Sequence, residues 1–155
     1  MLKELFKISR TQLKEVVDIK WVDMDKGQME GFDPSLGKPP VLFPAALITV
    51  QFPKSGAEEE IQGLKQVAEG MITVRICQDF TGNTSGVTDD AEVEKSLAYL
   101  DVVQKVYEKL QGYTDGRFNK LDRISLRDER RLDNYKVISM VFKTATRDYS
   151  AVPSV

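Results

Sequence analysis

Histidine is absent from this sequence of 155 residues, and cysteine occurs once, as Cys77. Without histidine the chain cannot build a Ser-His-Asp or Cys-His nucleophile, a histidine metal site or the usual charge switch near neutral pH. A single cysteine excludes a disulfide within the chain and a zinc site made of several cysteines. Cys77 lies among apolar residues of a predicted strand, so we interpret it as a small packing residue, which fits a reducing compartment.

Long apolar runs are also lacking, since no stretch approaches the roughly 20 residues that span a bilayer. The segment MLKELFKISR has amphipathic spacing in place of a basic segment followed by an apolar one, so we expect no export signal. A net charge of -2 and a pI of about 5.3 offer no global attraction to nucleic acid. With 41% hydrophobic and 30% charged residues, the composition is typical of a soluble folded domain.

The stretch from Met71 to Gly112 organises the predicted fold. MITVRICQDF alternates apolar and polar side chains, which is the period of a half-buried strand. Residues 91–111 carry apolar side chains at three- and four-residue spacings, which predicts one long helix that covers this strand. Asp89 and Glu92 have the spacing of a capping box at its start, and Gly112 has the place of a left-handed residue at its end.

The remaining chain follows the same two periods. The proline-rich segment 31–40 predicts a surface loop, and the acidic segment 53–63 predicts the loop of a long hairpin. The predicted elements are helices over 2–17 and 91–111 and strands over 19–24, 41–52, 64–80, 121–129 and 135–146.

This order predicts a single α+β domain over residues 1–147, followed by a flexible C-terminal tail over residues 148–155. We expect a mixed, mainly antiparallel sheet of four to five strands. The N-terminal helix and the long helix are expected to pack on it.

Two features are candidates for ligand binding, one for an anion and one for a divalent metal. TGNTSG, residues 81–86, precedes a helix start as anion sites do, but the chain has no glycine-rich phosphate motif. Aspartates offer carboxylates for a divalent-metal site of the kind that nucleases use, although nothing in the sequence brings them together. These aspartates are Asp23, Asp25, Asp79, Asp89 and Asp90. We therefore expect no catalytic residue, metal or cofactor.

The most unusual surface is LDRISLRDERRLDNYK, in which four arginines are interleaved with acidic residues. On a regular strand Leu121, Arg123, Ser125 and Arg127 share one face. Interleaved positive and negative charges favour subunit pairing or the protection of an edge strand over a nucleic-acid-binding surface. Both a solvated hairpin and an assembly surface remain open. The candidate subunit-interface residues are Arg123, Arg127, Asp128, Glu129, Arg130, Arg131 and Asp133.

The order of these segments resembles that of a known protein family, although no single motif does. An N-terminal helix is followed by KPPVLFPAALITV, GMITVRICQDF, a helix ending in VYEKLQGYTDG, a strand running into DERR, and YKVISMVFKT. Over residues 1–147 this layout resembles the tail terminator, or tail completion, proteins of long-tailed bacteriophages and prophages.

The resemblance implies a structural, non-enzymatic role. Proteins of that family form rings, commonly hexamers, at the head-proximal end of the tail tube, where they stop polymerisation and face the head connector. The implied partners are other copies, a tail tube protein and a head connector protein, with no membrane and no specific nucleic-acid recognition. The implied location is the bacterial host cytoplasm during assembly, and then the tail or neck of the virion.

In such a ring each subunit meets its neighbour through two different patches, and the charged hairpin is expected to form one of them. The loops Pro34–Pro40 and Ser55–Gly63 are expected to face the tube or the connector. One alternative is a neck or head-completion protein built on the same ring logic. From another class, a small metal-dependent nuclease predicts tight divalent-ion binding, and a nucleic-acid-binding module predicts affinity that falls steeply with salt.

Overall fold

The computed structural model describes residues 1–57 and 66–152. A five-stranded sheet carries helices on one face; the first two strands pair in parallel, and the other pairs are antiparallel. This confirms the predicted α+β class with a mixed, mainly antiparallel sheet. The elements are α1 (Leu2–Lys14), β1 (Trp21–Met24), β2 (Ala45–Ala57), β3 (Gln66–Asp79), α2 (Asp90–Ser96), α3 (Tyr99–Leu110), β4 (Asp122–Asp128) and β5 (Tyr135–Asp148), with sheet order β1-β2-β3-β5-β4.

Helices α1 and α3 each bury one apolar stripe against the same face of the sheet. Leu5 and Leu13 of α1 and Val106 and Leu110 of α3 are fully buried, because their spacing keeps them on the inner side of each helix. Among the described residues, no helix is long and apolar enough to cross a membrane. The strand residues of this core are Ala46, Ile48, Ile72, Val74, Ile76, Ile138, Met140 and Phe142.

The segment between β1 and β2 covers part of the opposite face. Met29 is fully buried there, in a small apolar cluster that includes Leu47 and Cys77, so the interpretation of Cys77 as a packing residue is confirmed. The ring centroids of Phe43 and Tyr135 lie 5.3 Å apart at the margin of this cluster. Residues 33–38 are exposed, as predicted for a surface loop. The segment around this loop supplies a second core, which the sequence pattern did not predict.

The single helix predicted over 91–111 is wrong, because α2 ends at Ser96 and α3 begins at Tyr99. Between them, the amide of Leu100 donates to the carbonyl of Leu97 at 3.0 Å, a three-residue spacing that tightens the helix and rotates its apolar stripe. The Ser96 hydroxyl ties α2 to the preceding loop by accepting the amide of Asn83 at 2.9 Å. A Cβ at Gly82 would stand 2.5 Å from the Ser96 Cβ, so glycine permits this approach.

The two ends of this helical region agree with the prediction. The Asp89 carboxylate accepts the amide of Glu92 at 2.9 Å and caps α2. Gly112 follows α3 with φ of 76°, a conformation that side chains with a Cβ rarely adopt.

Several helix and strand boundaries differ from the prediction. β2 begins at Ala45, after a cis Phe43-Pro44 peptide, and continues to Ala57, so the predicted strand over 41–52 is wrong at both ends. Pro53 lies where the β2–β3 register shifts, which accommodates its missing N–H in a long strand. The rest of the predicted acidic loop, residues 58–63, lies outside the described residues. α1 ends at Lys14, before residue 17, and β5 extends to Asp148.

Candidate subunit interface

The charged hairpin consists of β4, the first half of β5 and the turn over residues 129–134. β4 stands at the edge of the sheet. The amide of Glu129 donates to the carbonyl of Val137, so by the alternation of an antiparallel ladder the amide and carbonyl of Leu126 point away from β5. No described residue bonds these two groups of Leu126. The hairpin therefore presents an open strand edge to solvent.

The prediction that Leu121, Arg123, Ser125 and Arg127 share one face is wrong. A register shift between Arg123 and Ser125 places Arg123 opposite Phe142 on the helix face and Arg127 opposite Ser139 on the other face. The guanidinium carbon of Arg123 lies 4.2 Å from the centroid of the Tyr107 ring, so this arginine packs on α3. Arg123 is thus separated from the other arginines of the hairpin.

Arg75, in the middle of β3, is the centre of an ion cluster on the face opposite the helices. Its guanidinium binds Asp25 at 3.1 Å and both oxygens of Glu129 at 2.8 and 3.1 Å, and it also pairs with Glu30. The Arg75 side chain is only 13% exposed. Burial alone lowers the pKa of Arg75, but the bonds to the three carboxylates raise it above its usual value. The cluster therefore joins the segment after β1 to the charged hairpin.

Glu129 and Arg131 hold the hairpin turn against this cluster. Glu129 accepts the Ser139 hydroxyl at 3.0 Å, in addition to its bonds with Arg75. Arg131 donates to the carbonyl of Met29 at 2.9 Å and to Asp133 at 3.0 Å. The hydrogen bond with Asp133 raises the pKa of Arg131 and holds the pKa of Asp133 below its usual value. These side chains fix the shape of the turn.

Asp128 also acts within the hairpin. It pairs with Lys136 across the β4–β5 ladder and accepts the amide of Arg130 at 2.9 Å. The hydrogen bond with Lys136, followed by that amide, lowers the pKa of Asp128. Asp128 therefore stabilises the entry to the turn as a carboxylate.

Arg127 and Arg130 differ from the rest of the predicted set. Neither side chain makes a hydrogen bond or ion pair with any described residue. Both line an open pocket of about 590 Å³ together with Arg75 and Glu129. Arg130 has φ of 48°, a backbone conformation that non-glycine residues seldom adopt. These two arginines are available to a partner.

Exposed apolar side chains accompany the two available arginines. Leu126 is 48% exposed, and Leu132, at the tip of the turn, is fully exposed. Ile124, beside the register shift, is 50% exposed. An apolar group of this kind on an open edge, beside unpaired arginines, is typical of a surface that another protein covers.

Arg75, Asp25 and Glu30 organise the site, and the sequence predicted this role for none of them. The alternation of MITVRICQDF predicts only that Arg75 is a polar residue on the outer face of its strand. A signal was present, because a cation between Val74 and Ile76 in the middle of a strand requires counter-charges nearby when it is buried. The partners could not be named, since Asp25 lies 50 residues before Arg75 along the chain.

The residues weighed for metal binding do not come together in the described part of the chain, where no group of three or more acidic or cysteine side chains has the geometry of a metal site. Asp25 is bound to Arg75, and Asp23 lies 3.4 Å from Lys26. The Cys77 thiol has a pKa raised to about 12, primarily by burial, so it stays protonated at neutral pH.

The chain matches no family model and no curated protein. Among solved structures it is similar to a chain of the virion of a native gene transfer agent (GTA) particle, with a TM-score of 0.53 and 14% identity. The alignment covers 93% of this chain and 95% of that chain. At this identity the likeness establishes a shared fold, and it extends over nearly the whole length of both chains.

Proposed function

We propose that this protein is a structural virion protein of the tail-terminator kind. It forms a closed ring, with six copies as the number that the family resemblance implies. The ring caps the tail tube, ends its polymerisation and joins the tail to the head. Assembly takes place in the bacterial host cytoplasm, with a tail tube protein and a head connector protein as partners, and the ring remains in the tail or neck of the virion.

The observation that carries this proposal is the likeness to a virion chain over almost the full length of both proteins. A match confined to one hairpin or helix pair would support only a common motif, whereas this one covers 93% of this chain and 95% of the virion chain. The layout of the sequence supports the same structural class. Function in this class lies in surfaces that bind other subunits.

The charged hairpin is the proposed subunit interface, and its residues divide into two groups. Arg127 and Arg130 would contact the neighbouring subunit, together with Leu126 and Leu132. The other members support the hairpin from within: Arg123 through Tyr107, Asp128 through Lys136, Glu129 through Arg75, and Arg131 with Asp133. The loop Pro34–Pro40 and the segment Ser55–Gly63 are proposed to face the tube or the connector.

The test is the solution mass by light scattering over a concentration series, with and without magnesium. The wild-type protein should approach the mass of a closed ring, with the same result in both buffers. The variant Arg127→Glu/Arg130→Glu should shift the mass toward the monomer, because reversed charges at an interface repel. Lys7→Glu/Arg10→Glu on the exposed side of α1 changes the net charge equally and should leave the ring intact. A monomer at every concentration would contradict a self-assembling ring.

A further inference from the structure

Two exposed patches of this chain have opposite charge, and each includes two leucines. The hairpin patch lies along the open edge of β4 and its turn, and it consists of Leu126 on the helix side of the edge, Arg127 on the other side, and Arg130 and Leu132 in the turn. The helix patch consists of Asp90, Glu94, Leu97 and Leu100, on α2 and the first turn of α3. The first patch belongs to the edge of the sheet, and the second belongs to the helical layer. They are therefore different surfaces, as a head-to-tail contact between identical subunits requires.

The helix patch arises from the interruption between α2 and α3. Leu97 and Leu100 have the spacing of core residues, yet they are 37% and 39% exposed because the tightened turn rotates them out of the core. Ser96 is the only buried residue of α2. The two leucines therefore form an apolar surface that the described residues cover only in part.

The acidic side of the helix patch is also without partners. Asp90 and Glu94 are exposed, and neither side chain bonds or pairs with a described residue. They lie one helical turn apart, so both carboxylates project from the same side of α2. Arg127 and Arg130 of the hairpin patch are likewise unpaired. The hairpin patch thus has two arginines without a described partner, and the helix patch has two carboxylates without one. The two patches are complementary in charge, and both include leucines.

We propose that the hairpin patch of one copy binds the helix patch of the next copy around the ring. This inference rests on the proposed ring function and names the second surface of its interface. The leucines of both patches become buried in the contact, which supplies the apolar contribution to binding. The arginines and carboxylates surround them and select a head-to-tail arrangement, because two hairpin patches or two helix patches repel each other.

The experiment is a charge exchange between two variants of the full chain. Arg127→Glu/Arg130→Glu reverses the hairpin patch, and Asp90→Lys/Glu94→Lys reverses the helix patch. Each variant alone should raise the concentration of half-maximal assembly by about tenfold or more. An equimolar mixture should restore assembly, because every hairpin patch then meets a helix patch of opposite charge in an alternating ring. Such a ring closes only with an even number of subunits.

The controls separate a folding defect from a lost contact. Both variants should keep the thermal unfolding midpoint within a few degrees of the wild type, since the changed side chains are exposed. In a mixture of Arg127→Glu/Arg130→Glu with Lys7→Glu/Arg10→Glu, only the second variant should form rings, and the subunits with the reversed hairpin patch should stay dissociated.

Two results would overturn the contact. One is a wild-type ring that Asp90→Lys/Glu94→Lys leaves unchanged, and the other is a mixture that stays dissociated although each variant is folded. In both cases the wild-type ring would still support the proposed function. A wild-type protein that never self-associates would instead reject the ring and this contact together.

Discussion

The helix-covered face of the sheet is closed by apolar contacts along two regular helices, whereas the opposite face is closed by an irregular segment and an ion cluster. Leu5, Val106 and Phe142 meet on the first face with no exposed surface. On the second face, Met29 fills the centre of a smaller cluster, and Arg75 binds carboxylates from two distant segments. One sheet thus uses two different sources of stability.

The apolar contacts of the first face stabilise the fold, whereas the ion cluster of the second face fixes the shape of a surface. Apolar burial is non-directional, so it stabilises the helices on the first face without fixing the orientation of any polar group. Hydrogen-bonded ion pairs are directional, so the contacts of Arg75 and Arg131 fix the hairpin turn relative to the segment after β1. The face with less apolar burial is therefore the one that orients the proposed interface.

The largest expected effect concerns the helix-covered core. Phe142→Ala should reduce the free energy of unfolding by about 3–5 kcal/mol, because it removes a fully buried ring and leaves a cavity between sheet and helices. Urea denaturation followed by circular dichroism measures this loss. Lys143→Ala, at the exposed neighbouring position, should change stability by less than about 0.5 kcal/mol. Equal losses in both variants would mean that Phe142 does not occupy the core.

The ion cluster should rank second. Arg75→Met keeps the length of the side chain but leaves Asp25 and Glu129 without their counter-charge in partly buried positions, which should cost about 2–3 kcal/mol in urea denaturation. Neutralising the partners as well, in Arg75→Met/Asp25→Asn/Glu129→Gln, should recover part of that loss. If the triple variant is the less stable of the two, the cost does not come from uncompensated carboxylates.

Regular periodicity explains what the sequence could predict. The stripe through Val106 and Leu110, the cap at Asp89 and the stop at Gly112 each depend on residues within a few positions, so local rules located them. The prediction failed at Leu97, where backbone hydrogen bonds of three-residue spacing separate α2 from α3 and Ser96 binds the preceding loop. No local rule signals such a contact.

The candidate site was predictable only in part, for the same reason. The charges of the hairpin are visible in the sequence, but the register shift after Arg123 is not, and it moves that arginine to the other face. The roles of Arg127 and Glu129 depend on whether a partner from elsewhere in the chain reaches them. Glu129 has Arg75, which lies 54 residues away, whereas Arg127 has no described partner.

The second, smaller core should contribute less than the first. Met29→Ala should cost about 2 kcal/mol, at the low end for a buried methionine, because an irregular segment can partly collapse into the cavity. Leu36→Ala, in the same segment but 86% exposed, is the matched control and should be nearly neutral. Urea midpoints of the two variants measure the difference. Were they to coincide, Met29 would not anchor the segment to the sheet.

The smallest effect is a pH dependence of the hairpin turn. Hydrogen bonding to Arg131 lowers the pKa of Asp133 in the folded protein, so this carboxylate adds stability above its unfolded pKa near about 3.9. That contribution disappears as pH falls through the lower folded value, when the carboxylate becomes protonated. Asp133→Asn should therefore lose less than about 1 kcal/mol at pH 7 and approach the wild type below about pH 3.

Thermal or urea unfolding of Asp133→Asn and wild type between pH 7 and pH 2.5 provides the measurement. In an Arg131→Gln background the pH dependence of this difference should largely disappear, because the pair that shifts Asp133 is already broken. A difference that stays constant over the whole pH range would show that the charge on Asp133 does not contribute to the stability of the turn. The turn would then keep its shape without the ion pair, and directional charge contacts would matter less on this face than apolar burial.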